Sequence, residues 1–376
     1  MKSQEEEQLK AVRNKIDSLD TEIQDLITQR AKCAMDVAVI KSQALVKNVA
    51  TKDSERPVFY RPEREAQVLL KVKERNKKRN KSVLPDDEMA RLFREIMSAC
   101  LALEHQLNVA YLGPKGSYTY SAALKHFGHS AKTISAATID EVFREVESGS
   151  VNYGVVPVEN STEGMVNQSM DLFVNASAQI CGEVQLRIHH SFMSLVTDMK
   201  NIKVIYSHQQ SLAQCRGWLS ANMPGVECVA KSSNAEAARC AAEDMNSAAI
   251  AGIAAAEQYE LPILASNIED EAHNTTRFLI IGQQKTQASG KDKTSLLLSV
   301  HNSPGALYSL LEPFSNNSVS MTRVESRPSK LGMGDYVFFI DIEGHIEDEN
   351  IKVALNEVNQ HASMVKMLGS YPRAVI

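Results

Sequence analysis

From residue 9 to residue 40 the apolar side chains fall on a three-four repeat: Leu9, Val12, Ile16, Leu19, Ile23, Leu26, then Cys33, Val37 and Ile40. Side chains at that spacing share one stripe of an α-helix, so the chain opens with a long helix whose stripe packs in a bundle. Arg30 interrupts the stripe where an apolar residue belongs. A guanidinium cannot shed its proton to escape burial, and an unpaired buried charge is very costly. Arg30 therefore calls for a partner, either a carboxylate from a neighbouring helix or an anionic ligand.

A chain of 376 residues predicts two or three domains. A net charge of −5 does not mark a nucleic-acid binder. An uninterrupted apolar run long enough to span a membrane is missing, and the acidic start MKSQEEEQLK lacks the apolar core of a secretory signal. Cysteines at 33, 100, 181, 215, 228 and 240 form no C-x-x-C pair. That spacing argues against a zinc site and a disulfide framework, and a cytoplasmic location is expected.

Three zones follow one another. Residues 8–43 and 61–106 read as helices, joined by an irregular linker at 44–57; Pro62 suits a first helical turn and Asp86 an N-cap. From Asn108 the pattern becomes strand–helix alternation, with strands at 109–113, 151–159, 204–208, 248–252 and 278–282. Helices are expected at 118–127, 139–148, 211–221 and 234–244. Such alternation predicts parallel sheets covered by helices, with the site at the carboxyl ends of the strands. After a polar linker at 284–293, residues 294–370 read βαββαβ, the ferredoxin-like arrangement. The expected domains are 1–106, 107–284 and 294–376.

In the first zone Arg13 and Arg30 are 17 residues apart, about 25 Å along one helix. A small ligand touching both takes one of them from a second subunit lying antiparallel. Lys41 lies about three turns beyond Arg30, on the same face. The segment VRNKIDSLD (12–20), the Arg30–Lys41 spacing and the Arg64–Glu65 pair resemble the all-helical chorismate mutase family. The resemblance implies an intertwined dimer in which the partner's copy of Arg13, together with Arg30, binds the two substrate carboxylates. Lys41 would stabilise the ether oxygen of the breaking bond and Glu65 would orient the hydroxyl, with Arg61, Arg64, Cys100 and Glu104 completing the site. The reaction is unimolecular, so the protein need only hold a compact conformer and place donors where negative charge grows. Three positions depart from the usual pattern: Glu104 stands for a glutamine, Arg61 falls near an aspartate position, and Cys100 replaces a serine.

The second zone carries GPKGSYT (113–119), VPVENSTEG (156–164), SHQQSLAQC (207–215) and NTTRF (274–278). They predict a polar cleft that hydrogen-bonds a small anion. Neither metal-ligand spacing, nor a P-loop or G-x-G-x-x-G after a strand, nor a G-x-S-x-G elbow occurs, so no metal or cofactor is expected. In this order the motifs resemble prephenate dehydratase, a two-lobed α/β fold like a periplasmic binding protein, which makes phenylpyruvate with loss of carbon dioxide and water. The resemblance makes Thr276 the key hydroxyl and Arg277 a carboxylate partner, and it places Ser117, Asn160, Ser161 and Gln210 in the cleft. His189 and His208 titrate near neutrality, but a core or loop role is the simpler reading of both.

In the last zone Pro304 and Gly305 sit at a strand-to-helix turn whose helix N-terminus offers free amides to an anion, and ESRP (325–328) closes the next strand. The region resembles the ACT regulatory domain, which implies phenylalanine near Asn302, Pro304, Gly305, Ala306, Leu307, Glu325, Ser326 and Arg327, and pairing of two such domains. All three zones together resemble the bifunctional chorismate mutase/prephenate dehydratases of phenylalanine biosynthesis. The implied partners are chorismate, prephenate and L-phenylalanine and a second copy of the chain, with neither nucleic acid nor membrane. A dehydratase with a silent mutase zone, or a non-catalytic small-molecule sensor, are the rival readings.

A carboxylate at 104 can donate a hydrogen bond only when protonated. The mutase reaction is therefore expected to run faster at acid than at neutral pH, and Glu104→Gln should flatten that profile between pH 5 and 8. Flat, parallel profiles for both proteins would refute this role.

Overall fold

The computed structural model describes residues 2–48, 59–79, 83–301, 303–328 and 336–376. The chain opens with α1 (Lys2–Asn48), α2 (Pro62–Lys78) and α3 (Asp86–Glu104). Proline at the first position of α2 costs no hydrogen bond, because that N–H has no helical acceptor. Asp86 is not a cap: it is the first residue of α3, and its carboxylate accepts from Asn76 Nδ2 at 2.7 Å.

The α1 stripe is only partly covered within one chain. Leu9, Val12, Ile16, Leu19, Ile23 and Leu26 are between 47% and 63% exposed. Further along, α1 packs against α3. Arg30 has no ion-pair partner among the described residues.

The middle of the chain forms two lobes. The first sheet contains β1 (Asn108–Leu112), β2 (Lys132–Ala136), β3 (Tyr153–Asn160), β4 (Gly164–Met165) and β5 (Gln179–Arg187), with α4 (Tyr118–Phe127), α5 (Ile139–Ser148) and α6 (Asn167–Asn175). The chain then leaves for a second sheet of β6 (Ser191–Met193), β7 (Val204–His208), β8 (Glu227–Lys231), β9 (Ser247–Ala251) and β10 (Ile263–Ala265). That lobe carries α7 (Gln209–Gln214), α8 (Arg216–Asn222), α9 (Asn234–Glu243) and α10 (Ile253–Gln258). It returns as β11 (Thr275–Gly282), which inserts between β3 and β5 of the first sheet in the order β2-β1-β3-β11-β5. The second sheet runs β10-β6-β9-β7-β8. Both sheets are mixed rather than parallel: β11 is antiparallel to β3 and β5, and β6 is antiparallel to β9. A strand that returns directly from another lobe needs no crossover helix, and alternation along the chain cannot reveal its direction. The helix expected at 211–221 is broken at Cys215 into α7 and α8.

The C-terminal unit contains β12 (Asp292–Val300), α11 (Ala306–Asn316), β13 (Met321–Pro328), β14 (Tyr336–Glu343), α12 (Glu349–His361) and β15 (Met364–Pro372). Its antiparallel sheet, β13-β14-β12-β15, is the expected ferredoxin-like arrangement. Leu296, Leu298, Phe338 and Ile340 face its two helices. On the other face Leu297, Val337 and Phe339 join the core of the first lobe.

Buried charges lock this unit to the first lobe. Arg277 of β11 donates from Nε to Glu183 at 2.9 Å and from Nη2 to the Tyr371 hydroxyl at 3.0 Å, and its Nη1 pairs with Asp341. Lys293 donates to Glu183 at 2.8 Å. Two cations thus meet two carboxylates. Burial works to raise the Asp341 carboxyl, but Arg277 and the Ser295 hydroxyl hold it below its ordinary range. Removing one member of a buried set leaves an uncompensated charge. Asp341→Ala should destabilise the protein by about 3–5 kcal/mol in denaturant unfolding, and a loss under about 1 kcal/mol would contradict this account.

Candidate active sites

The first site is a cavity of about 440 Å³ beneath α1. α1 contributes Arg30 and Lys41, the start of α2 contributes Arg61, Arg64 and Glu65, and α3 contributes Cys100 and Glu104. Seven of the eight residues expected in the mutase site therefore meet in one place. Arg13, the eighth, is not among the lining residues and lies on α1 itself, about 25 Å of helix from Arg30. Both carboxylates in the cavity have partners. Glu104 accepts from Lys41 at 3.3 Å, and Glu65 pairs with Arg94 of α3 at 3.2 Å. Arg30, Arg61 and Arg64 have no carboxylate partner among the described residues, so three permanent positive charges line the cavity. Burial raises the Glu65 carboxyl, with Arg94 and the Tyr60 hydroxyl opposing.

The second site is a cleft of about 420 Å³ between the two lobes. Strand pairing builds its floor. Thr276 of β11 lies opposite Asn160 of β3, and Asn160 Nδ2 donates to Thr276 Oγ1 at 2.8 Å. Because Thr276 accepts there, its own hydroxyl proton is available to another acceptor. The same Asn160 amide donates to Asn274 Oδ1 at 2.8 Å, and Asn160 Oδ1 accepts from Thr162 and from the Glu163 N–H. Asn274 Nδ2 donates to Gln214 Oε1 at 3.1 Å, and His190 Nε2 lies 2.9 Å from the same oxygen. Tyr118 hydroxyl is 2.8 Å from His190 Nδ1. Gln214 Nε2 donates to Glu163, which fixes Oε1 as the acceptor, so His190 Nε2 donates; the single Tyr118 hydroxyl proton is shared between His190 Nδ1 and the His189 carbonyl, each 2.8 Å away. Burial depresses the His190 pKa, which keeps this ring neutral. A continuous chain thus runs Tyr118–His190–Gln214–Asn274–Asn160–Thr276.

The two segments crossing between the lobes are tied together. Glu269 accepts from His189 Nδ1 at 2.7 Å and from the His190 N–H at 2.9 Å. Burial opposes its charge, but these bonds hold its carboxyl below the ordinary range.

Several sequence expectations need correction. Arg277 does not line the cleft: successive strand residues face opposite sides, so Thr276 faces the cleft while Arg277 faces the C-terminal unit. Ser117 caps α4, accepting from the Tyr120 N–H and donating to the Leu112 carbonyl. Ser161 knits its loop to β11, accepting from the Thr275 N–H at 2.9 Å. Gln210 lines the cleft, as expected, 3.4 Å from Glu163. His189 is a hinge partner, whereas His208 lines the cleft. Tyr118, His190, Gln214 and Asn274 were not singled out, although three of them lie inside the quoted motifs; what sequence lacks is the side-chain direction that selects them.

In the C-terminal unit Gly305 takes φ +83°, a conformation that favours glycine, and the α11 N-terminus behind Pro304 is exposed, with Ala306 and Leu307 in its first turn. Asn302 lies outside the described residues. Arg327 is not available to an effector, because it pairs with Asp171 of α6 at 2.8 Å. Alternation along β13 puts Glu325 on the same face as Arg327, toward the first lobe, and Ser326 on the opposite face. Among the described residues no group of three metal-binding side chains forms, and no helix is long and apolar enough to cross a membrane.

Comparison with known proteins covers the whole chain. Residues 12–105 match the family model for chorismate mutase type II, 109–286 that for prephenate dehydratase, and 294–360 that for the ACT domain. A bifunctional chorismate mutase/prephenate dehydratase of Pseudomonas aeruginosa is 54% identical, covering 99% of this chain and 100% of its own length. One from Aquifex aeolicus is 43% identical over 98% of this chain and 99% of its own. Among solved structures, the prephenate dehydratase of Arthrobacter aurescens in complex with L-Phe is similar at 31% identity and a TM-score of 0.66, covering 71% of this chain and 90% of that one. With all three domains matched in order along its length, the chain belongs to the bifunctional chorismate mutase/prephenate dehydratase family.

Proposed function

We propose that the helical cavity rearranges chorismate to prephenate, that the two-lobed cleft turns prephenate into phenylpyruvate, and that L-phenylalanine inhibits through the C-terminal domain. The observation that carries the first step is the set of uncompensated guanidiniums, Arg30, Arg61 and Arg64, beside Lys41. Guanidinium forks bind carboxylates bidentately, and a dicarboxylate substrate neutralises charges the protein leaves unpaired. Lys41 reaches the ether oxygen, Glu65 accepts from the substrate hydroxyl, and Arg61, Cys100 and Glu104 border the substrate. Arg13 enters from a second copy of the chain laid antiparallel along the exposed α1 stripe, which that copy would bury.

In the cleft, Thr276 donates to the leaving hydroxyl. The bond from the ring to the carboxylate carbon breaks and carbon dioxide leaves, its electron pair enters the ring, and the hydroxyl leaves as water with a proton delivered by Thr276, whose oxygen regains one from solvent. Because the Asn160 amide fixes the Thr276 oxygen as an acceptor, the threonine proton points to the substrate with little reorganisation. With Arg277 turned away, neutral donors such as Gln210, Ser211 and Asn234 meet the anionic substrate. The A. aurescens relative solved with L-Phe supports an effector role for phenylalanine, and the exposed Gly305–Leu307 turn with Ser326 is the surface offered to it. Effector binding acts on the cleft only to the extent that it prefers one arrangement of the two lobes. The biosynthetic reactions in the names of its relatives support a cytoplasmic location.

A single assay tests the reading. Supplied with chorismate, the protein should form prephenate and then phenylpyruvate, with phenylalanine slowing the second step. Thr276→Val should lower dehydratase turnover by about a hundredfold or more and leave the mutase step intact. A protein that consumes only prephenate has a silent mutase domain, and one that consumes neither is a sensor.

Shared mutase sites make a separate prediction. Arg13→Ala and Arg30→Ala chains, each inactive alone, should regain mutase activity on mixing, because a heterodimer contains one site with both arginines. Mixtures that stay inactive while subunit exchange is demonstrated would exclude the shared site.

A further inference from the structure

Glu65 sits in the wall between the mutase cavity and the docking surface of the dehydratase lobe. Two groups hold its carboxylate. Arg94 Nε is 3.2 Å from Oε1, and the Tyr60 hydroxyl acts on the same carboxylate, opposing the rise that burial gives it. Neither holder is anchored in the helical domain alone. Arg94, 7% exposed, donates from Nη1 to the Lys125 carbonyl at 2.8 Å. Tyr60 hydroxyl is 3.1 Å from His126 Nε2. Lys125 and His126 are consecutive residues in the last turn of α4, which belongs to the dehydratase lobe.

The contact around these bonds is close. Tyr60 is buried in the first-lobe core, edge-on to Tyr153 at 5.3 Å between ring centroids. A Cβ on Gly128, which follows α4 at φ +73°, would lie 2.5 Å from the Ser98 Cβ on α3. The other end of α4 reaches the dehydratase cleft, where Tyr118 meets His190. A helix of ten residues, about 15 Å long, therefore has one end at the dehydratase cleft and the other against Arg94 and Tyr60, behind Glu65.

We propose that Arg94 and Tyr60 are positioning residues for the mutase reaction, holding Glu65 from anchors on α4, so that the dehydratase lobe is a working part of the mutase site. This rests on the reading of Glu65 as the group that orients the substrate hydroxyl. Free of Arg94, the carboxylate would be buried without a cation and would swing from its place. Misplacement of a substrate-orienting group reduces turnover rather than protein stability.

The test uses the full chain, measuring both reactions in Arg94→Gln and Tyr60→Phe, each alone and combined with Glu65→Gln. Mutase kcat should fall about ten- to a hundredfold in Arg94→Gln, with a smaller change in KM. Tyr60→Phe, which keeps the ring packing, should show a lesser loss of the same kind. Dehydratase turnover of prephenate should stay within about twofold of wild type in both, which also reports a folded first lobe. In the Glu65→Gln background neither substitution should cost further mutase activity, because the group they hold is gone. Equal losses with and without Glu65→Gln, unchanged mutase kcat in Arg94→Gln, or parallel loss of both activities would overturn the proposal. If Glu65→Gln alone leaves the mutase unimpaired, the role given to Glu65 fails instead.

Discussion

The antiparallel insertion of β11 between β3 and β5 is the constraint on which the rest depends. The chain enters the second lobe after β5 and must come back to complete the first sheet, so two segments cross between the lobes and a cleft opens beside them. The register of that return sets Thr276 opposite Asn160 and Arg277 opposite Glu159. Alternation of side chains then divides the work of neighbouring residues. Thr276 faces the cleft, while Arg277 faces the C-terminal sheet and joins Glu183 and Asp341 there. A shift of one residue would place a guanidinium in the cleft and a threonine among buried carboxylates. Chemistry on one face and domain attachment on the other are thus outcomes of one pairing.

Attachment of the C-terminal unit beside the Thr276 hydroxyl is dense in charge. Arg323 lies 3.6 Å from Glu159, next to Asn160, just as Arg277 lies next to Thr276. Both members of the Asn160–Thr276 pair are therefore flanked, on the opposite face, by residues that bond the C-terminal sheet. Any rotation of that sheet must either break these ion pairs or move the two strands with it. Buried ion pairs add little net stability against apolar packing but are costly to break one partner at a time. That asymmetry makes them suited to transmitting a displacement rather than absorbing it.

Much of the architecture was legible before any coordinates. The three-four apolar repeat located α1, Pro62 and the Pro85–Asp86 step located the starts of α2 and α3, and glycines and polar residues bounded β1, β3, β7, β9 and β11. What sequence did not show has a common physical origin in long-range pairing. β5 was missed because Cys181, Gly182, Glu183 and Gln185 interrupt its apolar pattern, yet Glu183 is polar for a reason supplied by Arg277 and Lys293 from elsewhere. The direction of β11 depends on the route between lobes. Arg277 looked like a substrate partner because it adjoins Thr276 in sequence, and adjacency in a strand means opposite faces. Asn160, Thr276 and Gln210 line the cleft, as the sequence suggested, because each sits at a strand or helix end where a motif is compact. Gln214 and His190 join the cleft through hydrogen bonds between lobes, which no local spacing encodes.

The same distinction explains Arg30. Its place in the α1 stripe demanded a partner, and the structure supplies none from α2 or α3: Glu104 is taken by Lys41 and Glu65 by Arg94. A protein that meant only to bury Arg30 would have left one of these carboxylates to it. Assigning each carboxylate its own cation instead leaves Arg30, Arg61 and Arg64 as permanent charges at a cavity wall, which favours an anionic occupant and disfavours a neutral one. Glu65 requires its own cation for the complementary reason, since burial drives it toward the neutral acid and an acid is a poor acceptor for a substrate hydroxyl. Arg94 reaches it from α3, with its other end held by the Lys125 carbonyl of the dehydratase lobe.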